Sequence, residues 1–178
     1  IGNRFSPGND TVFSEIKKLP PGSYGVFSRG FLETHSFWDI PKLTEERTPS
    51  INDVDSLLEL SVEKRLISDV PIGVLLSGGL DSSTIVSYMS RKTDKIKTFS
   101  VGFEEGINES KYARIVSNHF NTDHKEIILG KEMLSYLPKV VWHLDEPISD
   151  PASLPTYLLC KEVSKHVKVA LSGEGGDE

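Results

Sequence analysis

The period of apolar and polar positions changes along the chain. Before residue 40, Ser23-Tyr24-Gly25-Val26-Phe27-Ser28 and residues 31–38 read as two short strands around Arg29-Gly30. Two turn residues ending in glycine predict a tight hairpin, because glycine adopts positive φ cheaply. From residue 53 the period becomes helical: Val54, Leu57, Leu58, Val62 and Leu66 form one apolar stripe, with Asn52 or Asp53 as the expected cap. Residues 70–76 are a short Val/Ile/Leu run suited to a strand buried on both faces, and Ile85, Tyr88 and Met89 mark one side of a following helix.

The alternation then repeats. Residues 98–103 predict a strand, and Tyr112, Ile115, Val116, His119 and Phe120 a helical stripe with Asn108 as its cap. Residues 126–129 predict a strand, and Leu134, Leu137, Val141 and Leu144 a helical pattern broken by Pro138, which suits the first turn of a second helix. Pro155 opens another helix, running to about Ser164 and carrying Cys160 as a core residue, before a last apolar run at 167–171. Strands alternating with helix-length crossovers predict an α/β fold: a parallel, Rossmann-like sheet with flanking helices, preceded by a β-hairpin. Ligands of such sheets bind beyond the carboxyl ends of the strands, which directs attention to the loops after Leu76, Val101 and Leu171.

Composition narrows the function classes. The chain has 178 residues, with 20 Lys+Arg against 26 Asp+Glu and a formal net charge of −6. An acidic chain with scattered lysines lacks the clustered cations that nucleic acid requires, and no apolar run approaches the ~20 residues that span a bilayer. One cysteine, Cys160, excludes an internal disulfide and cysteine-rich metal sites, and favours a reducing, cytoplasmic setting.

Two loops carry the candidate chemistry. Ser77-Gly78-Gly79-Leu80-Asp81-Ser82-Ser83 joins a strand to a helix. Adjacent glycines admit a ligand to the backbone, the helix start supplies unpaired N–H groups, and the serines add hydroxyl donors, so the loop suits phosphate. It is neither a Walker A loop nor a Gly-x-Gly-x-x-Gly fingerprint. Asp81 within it would repel phosphate by ~1 kcal/mol at 4 Å in water and several-fold more at lower dielectric, against ~0.3–1 kcal/mol from a helix terminus. A bridging Mg²⁺, which uses one or two carboxylates plus phosphate oxygens, resolves that conflict. Ser172-Gly173-Glu174-Gly175-Gly176-Asp177-Glu178 follows the last strand; Asp177 is placed to complete a metal site with Asp81, and Glu174 to act as a general base or orient a nucleophile. Each loop alone also reads as an ordinary turn, serine-capped in the first case and solvated in the second.

Together the loops carry a resemblance. The 77–83 loop resembles the pyrophosphate-binding PP-loop of the ATP-pyrophosphatase superfamily (adenine nucleotide alpha hydrolase-like fold), and with the 172–178 loop it resembles the synthetase domain of glutamine-hydrolysing asparagine synthetases. Thr98-Phe99-Ser100-Val101-Gly102-Phe103, Asn108-Glu109-Ser110-Lys111-Tyr112-Ala113 and the segment from Asp145-Glu146-Pro147 to Pro155-Thr156-Tyr157 fit the same family. The resemblance implies three parts: residues 1–40 as the end of a glutaminase-like, N-terminal-nucleophile domain, 41–52 as a linker, and 53–178 as an ATP-binding synthetase domain truncated at its C-terminus.

It further implies ATP-dependent amidation of aspartate to asparagine through β-aspartyl-AMP, releasing AMP and pyrophosphate, with ammonia from glutamine in the intact protein. Carried over by position, Ser77, Gly78, Gly79, Leu80, Asp81, Ser82 and Ser83 would hold pyrophosphate. Leu75, Val101, Ser172 and Gly173 would contact adenosine, Asp81 and Asp177 would bind Mg²⁺, and Glu174 would deprotonate the attacking ammonia. The expected partners are thus ATP, aspartate and ammonia from glutamine, with no nucleic acid and no membrane; a homodimer of the intact protein stays open. The family's glutaminase cysteine and downstream catalytic lysine have no counterpart in these 178 residues, so this segment alone is expected to make no asparagine. A β-lactam synthetase-like enzyme, a peptide cyclase, a sugar amidotransferase or a non-catalytic nucleotide-binding module remain as alternatives, because both loops serve the shared ATP half of the reaction.

Overall fold

The computed structural model describes residues 6–41, 48–104, 110–145 and 149–176. The chain divides into two compact units, residues 1–48 with 141–150, and residues 49–140 with 151–178. In the first, β1 (Ser23–Ser28) and β2 (Phe31–Ser36) form an antiparallel hairpin in register from Ser23↔Ser36 to Ser28↔Phe31. Arg29 and Gly30 both take positive φ, 51° and 85°, as the tight turn of a twisted hairpin demands. Tyr24 stacks on His35 across the strands, yet Phe27, Phe31 and Leu32 are exposed.

The second unit is the predicted α/β fold. Helix α1 (Ile51–Arg65) leads to β3 (Ile72–Leu75), α2 (Leu80–Ser90), β4 (Lys97–Phe103), α3 (Ser110–His119) and β5 (Asp123–Leu129). A 3-10 helix (Lys131–Tyr136), the first residues of α4 (Leu137–Leu144, which from Val141 onward belongs to the first unit), α5 (Ser153–Val163) and β6 (Val169–Leu171) complete it. The four strands are parallel in the order β5-β4-β3-β6. The chain builds outward from β3 in one direction, then returns to place β6 on its other side. The loops after β3 and β6 therefore flank the point where strand order reverses, the place where such sheets open a crevice for ligand.

Alternation along the strands divides the core. Val74, Leu76 and half-buried Ile72 face Val86 and Met89 of α2, Ala113 of α3 and Val62 of α1. Leu75, Phe99 and Ile127 face the opposite way, onto Leu159, Val163 and Val167 of α5 and the turn after it. Val74, Leu76 and Val86 are essentially closed to solvent, and each such side chain contributes about 1.5–3 kcal/mol through burial.

Several expectations change in detail. Ser50, not Asn52 or Asp53, caps α1; its hydroxyl accepts from Asp53 N while the Asp53 carboxylate accepts from Ser50 N, a reciprocal capping box. Of the α1 stripe only Val62 is buried, and Leu57 is 65% exposed. On α3, Val116 and Phe120 pack on the core, but the buried face is Ser110, Ala113 and Ser117, with Tyr112, Ile115 and His119 turned outward. The fully buried positions of this helix are thus all small residues. Cys160 is exposed rather than core, because the buried face of α5 is set by Leu154 and Val163. Pro138 and Pro155 sit in first helical turns as expected; Asn108 lies outside the described residues.

An ionic cluster fastens α5 to β5. Glu162 accepts from Lys165 and from Lys125 Nζ at 2.9 Å, with His166 Nε2 also 2.9 Å from that nitrogen. Lys165 first and Lys125 second pull the Glu162 carboxyl from 4.5 down to about 2. Its folded value is the lower one, so this contribution is complete above about pH 4.5 and is lost as pH falls towards 2. Glu162→Gln should therefore flatten the acid limb of stability against pH in that window, and added salt should weaken the wild-type slope, as read by denaturant unfolding.

Candidate functional site

The site forms where β3 and β6 end side by side. Beyond β3 the backbone turns sharply at Gly78, whose φ of +82° is a left-handed conformation that a side chain resists. A Cβ there would also lie 2.4 Å from Tyr112 C and Ala113 N, so the loop is seated on the backbone of α3. Gly79 opens α2 without a side-chain cap, leaving the leading amides of that helix free of a side-chain acceptor. The hydroxyls brace the turn: Gly79 N donates to Ser77 Oγ at 3.2 Å, Ser77 Oγ and Ser82 Oγ lie 2.9 Å apart, and Ser82 is buried. Ser83 turns its buried Oγ to no partner. The Leu80 side chain is exposed, so what this residue offers the loop is its N–H.

The second loop closes on the first. A Cβ on Gly173 would stand 2.7 Å from Ser82 N, 2.8 Å from Asp81 Cβ and 3.0 Å from Asp81 C. Only a bare α-carbon permits this approach. Gly176 N donates to Gly173 O at 3.3 Å around a turn in which Gly175 has φ +81°, and the Cβ position of Gly176 lies 3.3 Å from the Asp81 carboxyl carbon. Glu174 is exposed at the tip of this turn, its N–H donating to Ser172 Oγ at 3.4 Å.

The residues singled out from sequence thus fall into three groups. Ser77, Gly78, Gly79, Leu80, Asp81, Ser82 and Ser83 share one loop and helix start, with Gly173 packed against it and Ser172 and Glu174 in the facing turn. Leu75 and Val101 lie at the carboxyl ends of adjacent strands, on the sheet face opposite α2. Asp177 lies outside the described residues; Gly176 before it rests on the Asp81 carboxylate. Sequence reasoning missed the Tyr112–Ala113 peptide as the floor under Gly78, a backbone contact with no residue-type signature.

The arrangement suits a polyphosphate held by amides and hydroxyls. Among the described residues Asp81 has no cationic partner, and no group of three or more His, Cys, Asp or Glu gathers into a metal cluster. One or two carboxylates are too few for a protein-only cation cage but match Mg²⁺, which takes its other ligands from phosphate and water. No helix among the described residues is long and apolar enough to cross a membrane.

Comparison with known proteins places these features in context. Residues 53–178 match the family described as asparagine synthase. The chain is 39% identical over 181 residues to asparagine synthetase [glutamine-hydrolyzing] 1 of Bacillus subtilis, covering 98% of this chain and 28% of that protein. It is 34% identical over 187 residues to asparagine synthetase B [glutamine-hydrolyzing] of Escherichia coli, covering 94% and 34%. With asparagine synthetase [glutamine-hydrolyzing] of Zea mays the identity is 36% over 178 residues, covering 90% and 30%. The chain therefore spans about a third or less of the length of these relatives.

Gly173→Ala should force the two loops apart, because its clash is with backbone. The expected cost is about 1–3 kcal/mol in denaturant unfolding, with faster amide exchange confined to residues 77–83 and 172–176. Gly79→Ala, whose Cβ meets only the Ser77 hydroxyl at 3.3 Å, should cost less.

Proposed function

The chain belongs to the asparagine synthase family, and on that premise we propose that it carries the ATP-binding part of a glutamine-dependent carbon–nitrogen ligase that amidates aspartate to asparagine. The observation that carries this reading is the seating of Gly173 and Gly176 against Asp81 and Ser82 at the β3/β6 crossover. It joins an amide-lined anion cradle to an acidic turn in one crevice. The domain assignment follows: residues 1–40 as the end of a glutaminase-like domain, 41–52 as linker, and 53–178 as part of the synthetase domain. The small molecules are ATP, aspartate and ammonia from glutamine, and the setting is cytoplasmic. The exposed apolar residues of the hairpin are consistent with strands that continue a larger sheet.

In this reading the chain's residues act as follows. The amides at the start of α2 and the hydroxyls of Ser77, Ser82 and Ser83 receive the β- and γ-phosphates, where negative charge collects as the substrate carboxylate attacks the α-phosphorus and pyrophosphate departs. Leu75 and Val101, with the backbone of Ser172 and Gly173, border the adenosine. Asp81 and Asp177 would hold Mg²⁺, which supplies neutralisation of the leaving pyrophosphate. Glu174, exposed at the tip of its turn, is free to meet ammonia and accept its proton as the new C–N bond forms and AMP leaves. Holding nucleotide and acceptor in one crevice removes much of the entropic part of the barrier.

The test is exchange of labelled pyrophosphate into ATP by the full-length protein. Stimulation by aspartate above other carboxylates supports the reading, and stimulation by a different carboxylate would assign a different acceptor. Asp81→Asn should lower that exchange by about 100-fold or more while leaving the unfolding midpoint nearly unchanged, since the exposed carboxylate contributes little to folding.

A further inference from the structure

Beneath α3 the sheet is polar where a core is normally apolar. Thr98 and Ser100 of β4 are 0% and 3% exposed, and their register partners on β5 are His124 and Glu126. Successive strand residues alternate faces, so these four side chains form one stripe against α3. Buried polar groups require partners, and most of these have them. Thr98 Oγ1 lies 2.7 Å from Thr122 Oγ1 and 2.9 Å from His124 Nδ1, while Ser100 Oγ lies 3.2 Å from His124 Nε2. Burial lowers the His124 pKa, with the Glu126 charge opposing and the Arg114 charge assisting.

Glu126 is different in kind. Its side chain is 13% exposed, and its Oε2 accepts from Arg114 Nε at 2.7 Å and from Arg114 Nη2. The Ser110 side chain also favours the ionised form of this carboxyl, whereas Oε1 is buried without a hydrogen-bond partner. Burial pushes its pKa up, but the hydrogen bonds from Ser110 and Arg114, with the charges of Arg114 and His124, outweigh that and hold it below the usual range. A desolvated carboxylate is a poor way to fill a sheet face. Its geometry supplies a reason: Ser110 and Arg114 stand on either side of Tyr112 and Ala113, the peptide on which Gly78 is seated.

We propose that Glu126 is a positioning residue for the phosphate-binding loop, clamping the first turns of α3 to β5 through Ser110 and Arg114 so that the Tyr112–Ala113 peptide holds the Gly78 turn in its anion-receiving form. The role rests on the functional reading above, but the clamp itself is a statement about the loop's position and is tested separately. Glu126→Gln keeps the shape of the side chain and removes its charge. Ser110→Ala removes one hydrogen bond and leaves the ion pair.

In the full-length protein, Glu126→Gln should raise the KM for ATP by about tenfold and Ser110→Ala by a few-fold, with the KM for aspartate unchanged. Without nucleotide, amides of 78–83 and 112–113 should exchange faster in Glu126→Gln while those of β3 and β4 do not. Unchanged exchange in those two segments overturns the proposal, as does an equal rise of exchange across the whole sheet, which would mark general loosening. A wild-type protein lacking aspartate-stimulated exchange of pyrophosphate defeats the functional reading instead, and the hydrogen-exchange comparison still decides the clamp. Should Glu126→Gln not fold, Ser110→Ala carries the same two measurements: faster exchange confined to the two segments supports the clamp, and its absence overturns it.

Discussion

The structure depends on a backbone approach that admits no Cβ. Gly173 lies against the Asp81–Ser82 peptide, and Gly78 against the Tyr112–Ala113 peptide. Three segments distant in sequence, the turn after β6, the start of α2 and the first turn of α3, thereby meet as bare backbone. Direct contact between main chains leaves few degrees of freedom, so the start of α2 is held in one form; in the proposed function that holding preorganises its amides for phosphate. The meeting of the loops is a consequence of strand order: only because β6 returns to the far side of β3 do the two glycine-rich turns face each other.

The sheet that carries these loops is built asymmetrically. On the α5 side, Phe99, Ile127 and Leu75 pack against aliphatic side chains, and the charges of Glu162, Lys125 and Lys165 form the rim. On the α3 side, β4 and β5 present hydroxyls, an imidazole and a carboxylate. Apolar contacts are non-directional and tolerate small shifts, whereas hydrogen bonds and a hydrogen-bonded guanidinium–carboxylate pair specify distance and angle. Beneath α3 the directional contacts of β4 and β5 stand beside the apolar contacts of Val74 and Leu76 with Ala113, whereas on the α5 side the contacts at the sheet surface are apolar.

How much was legible in the sequence differs between elements. The hairpin turn at Arg29-Gly30, the strand-to-helix switch at Ser77 and the alternation of strands and helices were all readable, because each depends on local backbone preference or on a short apolar period. The inward face of α3 was not. Of the apolar stripe only Val116 and Phe120 pack on the core, while Tyr112 and Ile115 are exposed and the fully buried positions are Ser110, Ala113 and Ser117. Thr98 and Ser100 were readable only as part of a strand; their alternation with Phe99 and Val101 was the available sign of a polar face, matched by His124 and Glu126 at the same spacing. Cys160 was assigned inward on the strength of its residue type and is exposed, since the neighbours Leu154 and Val163 decide which way the helix faces.

By itself the sequence determined the fold class and the two loops with chemistry, since glycine pairs, helix starts and acidic positions are properties of short segments. Tertiary structure alone decided that the loops converge, that Gly173 and Gly176 face Asp81, and that α3 is fixed to β5 through Glu126. These depend on strand order and on distances between segments as many as 95 residues apart, from Asp81 to Gly176. Local propensity carries no information about such separations. Packing fixes them, through the absence of a side chain as much as through its presence.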